Sequence, residues 1–148
     1  MTIQVLYASK TGHTKQIAQT MAAALGVQAQ DVQDKPEIKA DLLFIGSGIY
    51  ASRADRDLCL FVKKLTDDQV KHVVLFYTSM TGIAVTTELP GLLRQNGILV
   101  EDHEFSCKGK FLFFSWRHPN EKDLEQARGF ALALRDRIAD ADPSCNTP

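Results

Sequence analysis

No apolar run in this sequence approaches the roughly 20 residues that a membrane-spanning helix requires. Residues 1–8 also lack the basic segment and the long apolar segment that together make a secretion signal. We therefore expect a cytoplasmic protein that has no membrane span.

Cysteine and clustered basic charge are also scarce. The three cysteines, Cys59, Cys107 and Cys145, are widely spaced and include no C-x-x-C pair, so neither a disulfide framework nor a zinc site is predicted. The four histidines are scattered without metal-ligand spacing, and no metal is expected. A formal net charge of -1 lacks the basic excess with which proteins bind phosphate backbones, so nucleic acid is not expected as a partner.

The composition is that of an ordinary globular domain. In 148 residues, 45% hydrophobic and 24% charged side chains are enough to bury one core. Residues 1–139 are predicted to form this domain. Residues 140–148 have no apolar periodicity and are predicted to be a flexible C-terminal tail.

Short apolar runs alternate with segments of helical period, which is typical of repeated β-α units around a mostly parallel sheet. Residues 42–45 are apolar without polar alternation, so this strand is predicted near the centre of the sheet, buried on both faces. The predicted strands are residues 3–8, 27–32, 42–45, 73–77 and 98–105, and the predicted helices lie at 14–25, 58–65, 87–95 and 120–138.

The segment Ser9-Lys10-Thr11-Gly12-His13-Thr14 lies between the first strand and the first helix. A helix N-terminus leaves backbone N–H groups unpaired and carries partial positive charge, so hydroxyls delivered there can surround an anion with donors. Glycine permits a close turn because it has no Cβ. The same residue types also cap helices, so two interpretations stay open at this point, a helix cap alone or a phosphate site.

Two more predicted loops, 46–57 and 78–85, follow strands and are rich in Gly, Ser, Thr or Tyr. In a doubly wound fold, ligands bind beyond the carboxyl ends of the strands. Residues 46–51 match the G-x-G-x-x-G/A dinucleotide pattern, but they follow the third strand rather than the first and no helix begins at once. The acidic cluster that a phosphoryl-receiver domain needs after its first strand is absent, which disfavours a receiver or interaction module.

These segments, in this order, resemble the flavodoxin family over almost the whole chain, to about residue 138. Residues 9–14 resemble the family's FMN phosphate loop, residues 46–50 its first isoalloxazine loop, and residues 118–124 the beginning of its last helix. Residues 105–109 also resemble small bacterial members. The resemblance implies an α/β doubly wound three-layer sandwich, with a five-stranded parallel sheet in the order 2-1-3-4-5.

The resemblance also implies one noncovalently bound FMN. Hydroxyls of the first loop would hold its phosphate, Tyr50 would stack on the ring or pack on the sheet edge, and the backbone near Gly48 would face flavin N5. The third loop would bind the polar edge of the ring, and no catalytic role is assigned to Cys107. The implied cofactor-binding residues are Ser9, Lys10, Thr11, Gly12, His13, Thr14, Gly48, Ile49, Tyr50, Ala51, Thr78, Ser79, Met80, Thr81 and Gly82.

The implied function is electron transfer between a flavin reductase and an acceptor protein. An alternative is an FMN-dependent oxidoreductase acting on a quinone or tetrapyrrole, because residues 45–50 and 61–64 also resemble quinone-dependent protoporphyrinogen oxidases. Those enzymes carry a long insertion near the fifth strand, and residues 98–120 leave no room for it.

The chain departs from electron-carrying flavodoxins in its charge. Those proteins are usually strongly acidic around the flavin, whereas this sequence has 17 basic and 18 acidic residues. We therefore expect weaker electrostatic steering than usual. Arg53 and Arg56 lie in the predicted isoalloxazine loop, and we hypothesise that either one offsets negative charge on the reduced ring.

Overall fold

The fold is described from a computed structural model of the chain. It describes residues 1–50, 53–79, 87–108 and 120–141.

The described residues form seven strands and four α-helices, together with one 3-10 helix at Val32–Asp34. No helix in these ranges is both long and apolar enough to cross a bilayer. The strands are β1 Ile3–Ala8, β2 Ala29–Asp31, β3 Ala40–Tyr50, β4 Arg53–Ala54, β5 Val70–Ser79, β6 Leu99–Val100 and β7 Phe105–Lys108. The helices are α1 His13–Leu25, α2 Arg56–Val62, α3 Glu88–Gln95 and α4 Glu121–Ala141.

The sheet has the strand order β2-β1-β3-β5-β6, and all of these pairings are parallel. β7 also pairs with β5 in parallel, further toward its carboxyl end, so β6 and β7 together fill the last position of the sheet. β4 is a short antiparallel addition to β3. The doubly wound α/β fold and the predicted order of five sheet positions are confirmed.

The central strand β3 is buried on both faces, as its apolar run predicts. Leu42 and Phe44 belong to the core that packs beneath α1 and α4, whereas Leu43 and Ile45 belong to the core beneath α2 and α3. Consecutive side chains of a strand point to opposite faces, so one apolar run supplies both cores. The sheet is therefore the middle layer of a three-layer sandwich.

Two helix ends follow the sequence signals. Gly26 ends α1 in the left-handed conformation with φ 76°, and the N–H of Val27 donates to the Ala22 carbonyl across the end of the helix. Pro90 lies in the first turn of α3, where its missing N–H costs no helical hydrogen bond. Both features were predicted and both are confirmed.

The prediction of a loop over residues 46–57 is wrong. β3 continues to Tyr50, and the backbone then returns as β4, whose antiparallel pairing with β3 joins Ile49 to Ala54. Gly46 and Gly48 have low strand propensity, which hid this extension in the sequence. Gly46 is required there for a packing reason, because a Cβ at this position would overlap the ring of Phe76 on β5.

Other boundaries also differ from the predictions. β2 covers only Ala29–Asp31, and the predicted strand 98–105 is divided into β6 and β7. β5 runs to Ser79, so the predicted third loop begins later than residue 78. α4 continues to Ala141, which places the first two residues of the predicted tail inside the helix. The rest of that tail lies outside the described residues.

Gly46→Ala is expected to lower the free energy of unfolding by about 1 to 3 kcal/mol, because the added methyl group would displace the Phe76 ring in a packed core. Gly129→Ala is the matched control. Gly129 lies within α4, and outside the backbone of that helix no described residue has an atom within 4 Å of the added Cβ, so this change is expected to stabilise the protein by about 0.5 to 1 kcal/mol. Urea unfolding measures the free energy of unfolding of both variants. If Gly46→Ala leaves this free energy unchanged, the close packing of Gly46 against the Phe76 ring is contradicted.

Candidate functional site

The carboxyl ends of the central strands meet at one edge of the sheet. Ala8 of β1 lies beside Ser47 of β3, Ser47 lies beside Tyr77 of β5, and Thr78 lies beside Cys107 of β7. The chain leaves β1 at this edge to enter α1, and leaves β3 here to enter the hairpin with β4. This is the edge at which doubly wound folds bind ligands.

The segment after β1 forms a tight, open turn. The Ser9 hydroxyl oxygen accepts a hydrogen bond of 3.0 Å from the Gly12 N–H. Gly12 has φ 90°, a left-handed conformation that favours glycine, and apart from its chain neighbours no described residue has an atom within 4 Å of the position a Cβ would occupy. The turn therefore leaves free space next to the N-terminus of α1.

The N-terminus of α1 is suited to an anion. Its first turn contains no acidic side chain, and Gly12 provides no side-chain cap. The first N–H groups of a helix have no partner within the helix, and they carry the positive end of its dipole. Together with the hydroxyls of Ser9 and Thr11, these donors match a phosphate dianion, so the residues present fit the phosphate end of FMN.

A buried hydroxyl pair joins this turn to the centre of the sheet. The oxygen atoms of Thr14 and Thr78 are 2.7 Å apart, although the residues are 64 positions apart in the chain. Both are almost fully buried. In such a pair one hydroxyl accepts the bond and keeps its own hydrogen, so one donor is left for a ligand.

Tyr50, at the end of β3, contacts Gly48 and Lys10 at this edge. Its ring lies over Gly48, where an added Cβ would be 2.6 Å from the Tyr50 Cζ. Lys10 Nζ is 4.7 Å from the ring centroid, within the range of a cation–π interaction. Burial raises the pKa of Tyr50; the Asp55 carboxylate raises it further, and a hydrogen bond from the Lys10 backbone N–H opposes both.

Ser47 organises the hairpin, and this role was not predicted from the sequence. Its buried hydroxyl donates to the Gly48 carbonyl at 2.7 Å and accepts from the Asp55 N–H at 2.9 Å. The Asp55 carboxylate in turn caps α2 by accepting from the N–H groups of Asp57 and Leu58. An aspartate just before a helix was a readable cap signal, whereas the Ser47 contacts have no signature in the sequence.

The structure brings part of the predicted site together. Ser9, Gly12, Thr14, Gly48, Tyr50 and Thr78 lie at the same edge of the sheet, whereas Ile49 packs against the core beneath α2 and α3. Lys10 and Thr11 are exposed, His13 is half-buried, and Ser79 is buried at the end of β5. The predicted residues Ala51, Met80, Thr81 and Gly82 lie outside the described ranges.

Cys107 lies at this edge but is poorly suited to thiolate chemistry. Burial, with a smaller contribution from the Asp123 carboxylate, raises the pKa of the Cys107 thiol to about 12. A thiol with this pKa stays protonated near neutral pH and is a poor nucleophile. Its surroundings therefore favour a structural role.

The family comparison matches residues 4–94 to a flavodoxin domain. An uncharacterized protein of Methanocaldococcus jannaschii is 28% identical over 139 residues, covering 82% of this chain and 89% of that protein.

Solved flavodoxin structures share the fold. The oxidised flavodoxin 2 of Bacillus cereus superposes with a TM-score of 0.70 at 17% identity, covering 93% of this chain and 99% of that one. A flavodoxin from the domain Archaea gives a TM-score of 0.65 at 18% identity over the same shares.

Thr14→Val is expected to lower the free energy of unfolding by about 1 to 3 kcal/mol, because the Thr78 hydroxyl would be left buried without its partner. Thr78→Val should cost a similar amount. The double variant should cost clearly less than the sum of the two, since neither buried hydroxyl then remains. Urea unfolding of wild type, the two single variants and the double variant gives the four free energies of this double-mutant cycle. If the two single losses simply add in the double variant, the hydrogen bond between Thr14 and Thr78 is contradicted.

The raised pKa of Cys107 predicts a loss of stability at alkaline pH. The buried thiol stays protonated in the folded state, so its contribution is complete below the unfolded pKa, near 9, and is lost as the pH rises toward about 12. Between about pH 8 and pH 10, wild type should lose about 1 kcal/mol more of its free energy of unfolding than Cys107→Ala. Equal losses of unfolding free energy in wild type and Cys107→Ala would contradict the raised pKa of Cys107.

Proposed function

Because the chain belongs to the flavodoxin family, we propose that it carries electrons on one noncovalently bound FMN, between a flavin reductase and an acceptor protein. FMN is the cofactor of this family and of this chain, and it supplies the redox chemistry by taking up and releasing one or two electrons. The cytoplasmic location stays a prediction. The observation that carries the proposal is the open, acid-free N-terminus of α1 at the carboxyl edge of the sheet.

Residues of the first turn would bind the FMN phosphate. The Ser9 hydroxyl accepts from Gly12 and therefore keeps its own hydrogen for a phosphate oxygen. The exposed Thr11 hydroxyl and the first N–H groups of α1 supply further donors. The bond between Thr14 and Thr78 fixes the helix N-terminus against β5, so the donors are positioned before the ligand binds.

The ends of β3 and β5 would hold the flavin ring. Ser47 fixes the orientation of the Gly48 carbonyl. The family resemblance places the backbone of this segment near flavin N5, where the contacting group belongs to Gly48, Tyr50 or Ala51. Tyr50 presents an aromatic ring at the same edge, held by Gly48 and Lys10. These residues bind and orient the cofactor; none of them is assigned a role as acid, base or nucleophile.

The phosphate assignment is tested by comparing FMN with riboflavin, which lacks the phosphate. Ser9→Ala and Thr11→Val are each expected to raise the Kd for FMN by about 10-fold or more, because a hydrogen bond to a charged group is lost. The Kd for riboflavin should change by less than about 2-fold. Flavin fluorescence quenching measures both constants.

Thr20→Val is the matched control, because the Thr20 hydroxyl donates to the Gln16 carbonyl of its own helix and has no other hydrogen-bond partner among the described residues. This variant should bind both flavins like wild type.

Colourless purified protein that takes up no added FMN would contradict the proposed function. Equal weakening of FMN and riboflavin would contradict the phosphate role alone. Turnover of quinones or tetrapyrroles, without reduction by a flavodoxin reductase, would favour the oxidoreductase alternative.

A further inference from the structure

A groove of about 770 Å³ runs between α2 and α3 on one face of the protein. We call it the basic groove. One side consists of Arg53, Arg56, Leu60 and Lys63, and the other includes Glu88 and Gln95. The proposed contacts with FMN involve none of these side chains, and the hypothesis that Arg53 or Arg56 offsets negative charge on the reduced ring stays a prediction.

The arginines of the basic groove differ from the other arginines that the structure describes. Arg53 and Arg56 are exposed, and neither has a carboxylate within ion-pair distance among the described residues. The other four each have such a partner within 4.0 Å: Arg94 with Asp102, Arg128 with Glu125, Arg135 with Asp136, and Arg137 with Glu101.

The acidic groups closest to these arginines in sequence have other roles. The Asp55 carboxylate is buried and caps α2, and Asp57 accepts a hydrogen bond from Gln33 on the other side of that helix. Among the described residues that line the groove, Glu88 is the one carboxylate, and it accepts from the Ala54 N–H at 3.1 Å. Within this described lining, three cations therefore face a single carboxylate, although the chain as a whole has a net charge of -1.

The groove combines this charge with an apolar contact surface. Leu60 is 49% exposed in the same groove lining as the basic side chains, and among the described leucines only Leu99 is more exposed. The half-buried Cys59 thiol lies in the same groove, and burial raises its pKa. An apolar centre with a charged rim is the usual anatomy of a protein interface.

The groove begins next to the proposed flavin site. Arg53 lies on β4 and is paired with Tyr50, the residue that ends β3 at the ligand-binding edge. Arg56 is the first residue of α2 and Lys63 is its C-cap, so these cations are spread over about 10 Å along the helix axis. Cations spread along a helix in this way match carboxylates distributed over a protein surface.

We propose that the basic groove docks an acidic surface of the protein with which this chain exchanges electrons. This proposal rests on the proposed function and names the charge of the partner. Attraction between the groove and carboxylates on the partner would orient the encounter so that the hairpin of β3 and β4, and the flavin beside it, faces the partner's redox centre. The docking surface of this chain would then be positively charged, whereas that of the usual acidic flavodoxin is negatively charged.

The test uses two haem proteins of opposite charge, the acidic cytochrome b5 and the basic cytochrome c, as acceptors for the reduced holoprotein. At low ionic strength, Arg53→Gln/Arg56→Gln is expected to slow the reduction of cytochrome b5 by about 10-fold or more, and added salt should remove most of the difference. Reduction of cytochrome c should not slow. Stopped-flow absorbance measures the rates, and visible spectra confirm equal FMN content.

Arg128→Gln/Arg135→Gln is the matched control. It changes the net charge equally but lies on α4, across the sheet from the groove. This control should change the rate with cytochrome b5 by less than about 2-fold. Equal slowing by both double variants would show an effect of net charge alone and would overturn the proposal.

Docking is also measured without electron transfer, by titrating the 15N-labelled protein with cytochrome b5 and following the amides of α2 and α3. Shifts confined to the groove and lost in Arg53→Gln/Arg56→Gln support the proposal, even if the protein binds no FMN and the proposed function fails. Groove shifts with citrate but not with cytochrome b5 would assign the groove to a small anion and overturn the proposal.

Discussion

Burial of the parallel sheet on both faces is the constraint on which the rest of the structure depends. β3 alternates its side chains between two apolar cores, so neither face of the sheet can hold a polar ligand. The hydroxyls and glycines of the candidate site therefore lie at the carboxyl edge, where Ser47, Thr78 and the segment after β1 meet. The location of the site follows from the packing of the core, and the chemistry of the site follows from the residues that the strands deliver there.

The elements predicted from the sequence are those whose signals are local. β1, α1 and its end at Gly26 depend on periodicity and on one glycine, and all three lie close to the predicted positions. The contacts that assemble the site are not local. Thr14 bonds to Thr78 across 64 positions in the chain. Ser47 bonds to Asp55 across the hairpin of β3 and β4, which the low strand propensity of Gly46 and Gly48 makes hard to predict. A single sequence contains the donors and acceptors of these bonds but does not pair them.

Two short links determine how rigid the site is. The hydroxyl pair of Thr14 and Thr78 ties α1 to β5, and the Ser47 hydroxyl ties the Gly48 carbonyl to the first residue before α2. Both links are buried, where a hydrogen bond is little weakened by water and an unpaired group is costly. The turn between them stays open at Gly12, so the scaffold is fixed while the space for the ligand is kept.

Net charge describes this protein poorly. The near balance of 17 basic and 18 acidic residues predicts weak electrostatic steering. The structure distributes these charges unevenly, because the arginines of α4 are paired with carboxylates, whereas Arg53 and Arg56 have no such partner in the part of the chain that the structure describes. Paired charges cancel within a few ångströms, whereas unpaired ones act over a Debye length of about 10 Å. The field that a partner meets beside the hairpin is therefore set by a few cations whose neighbouring carboxylates are already committed to capping α2 and to bonding Gln33 and the Ala54 N–H.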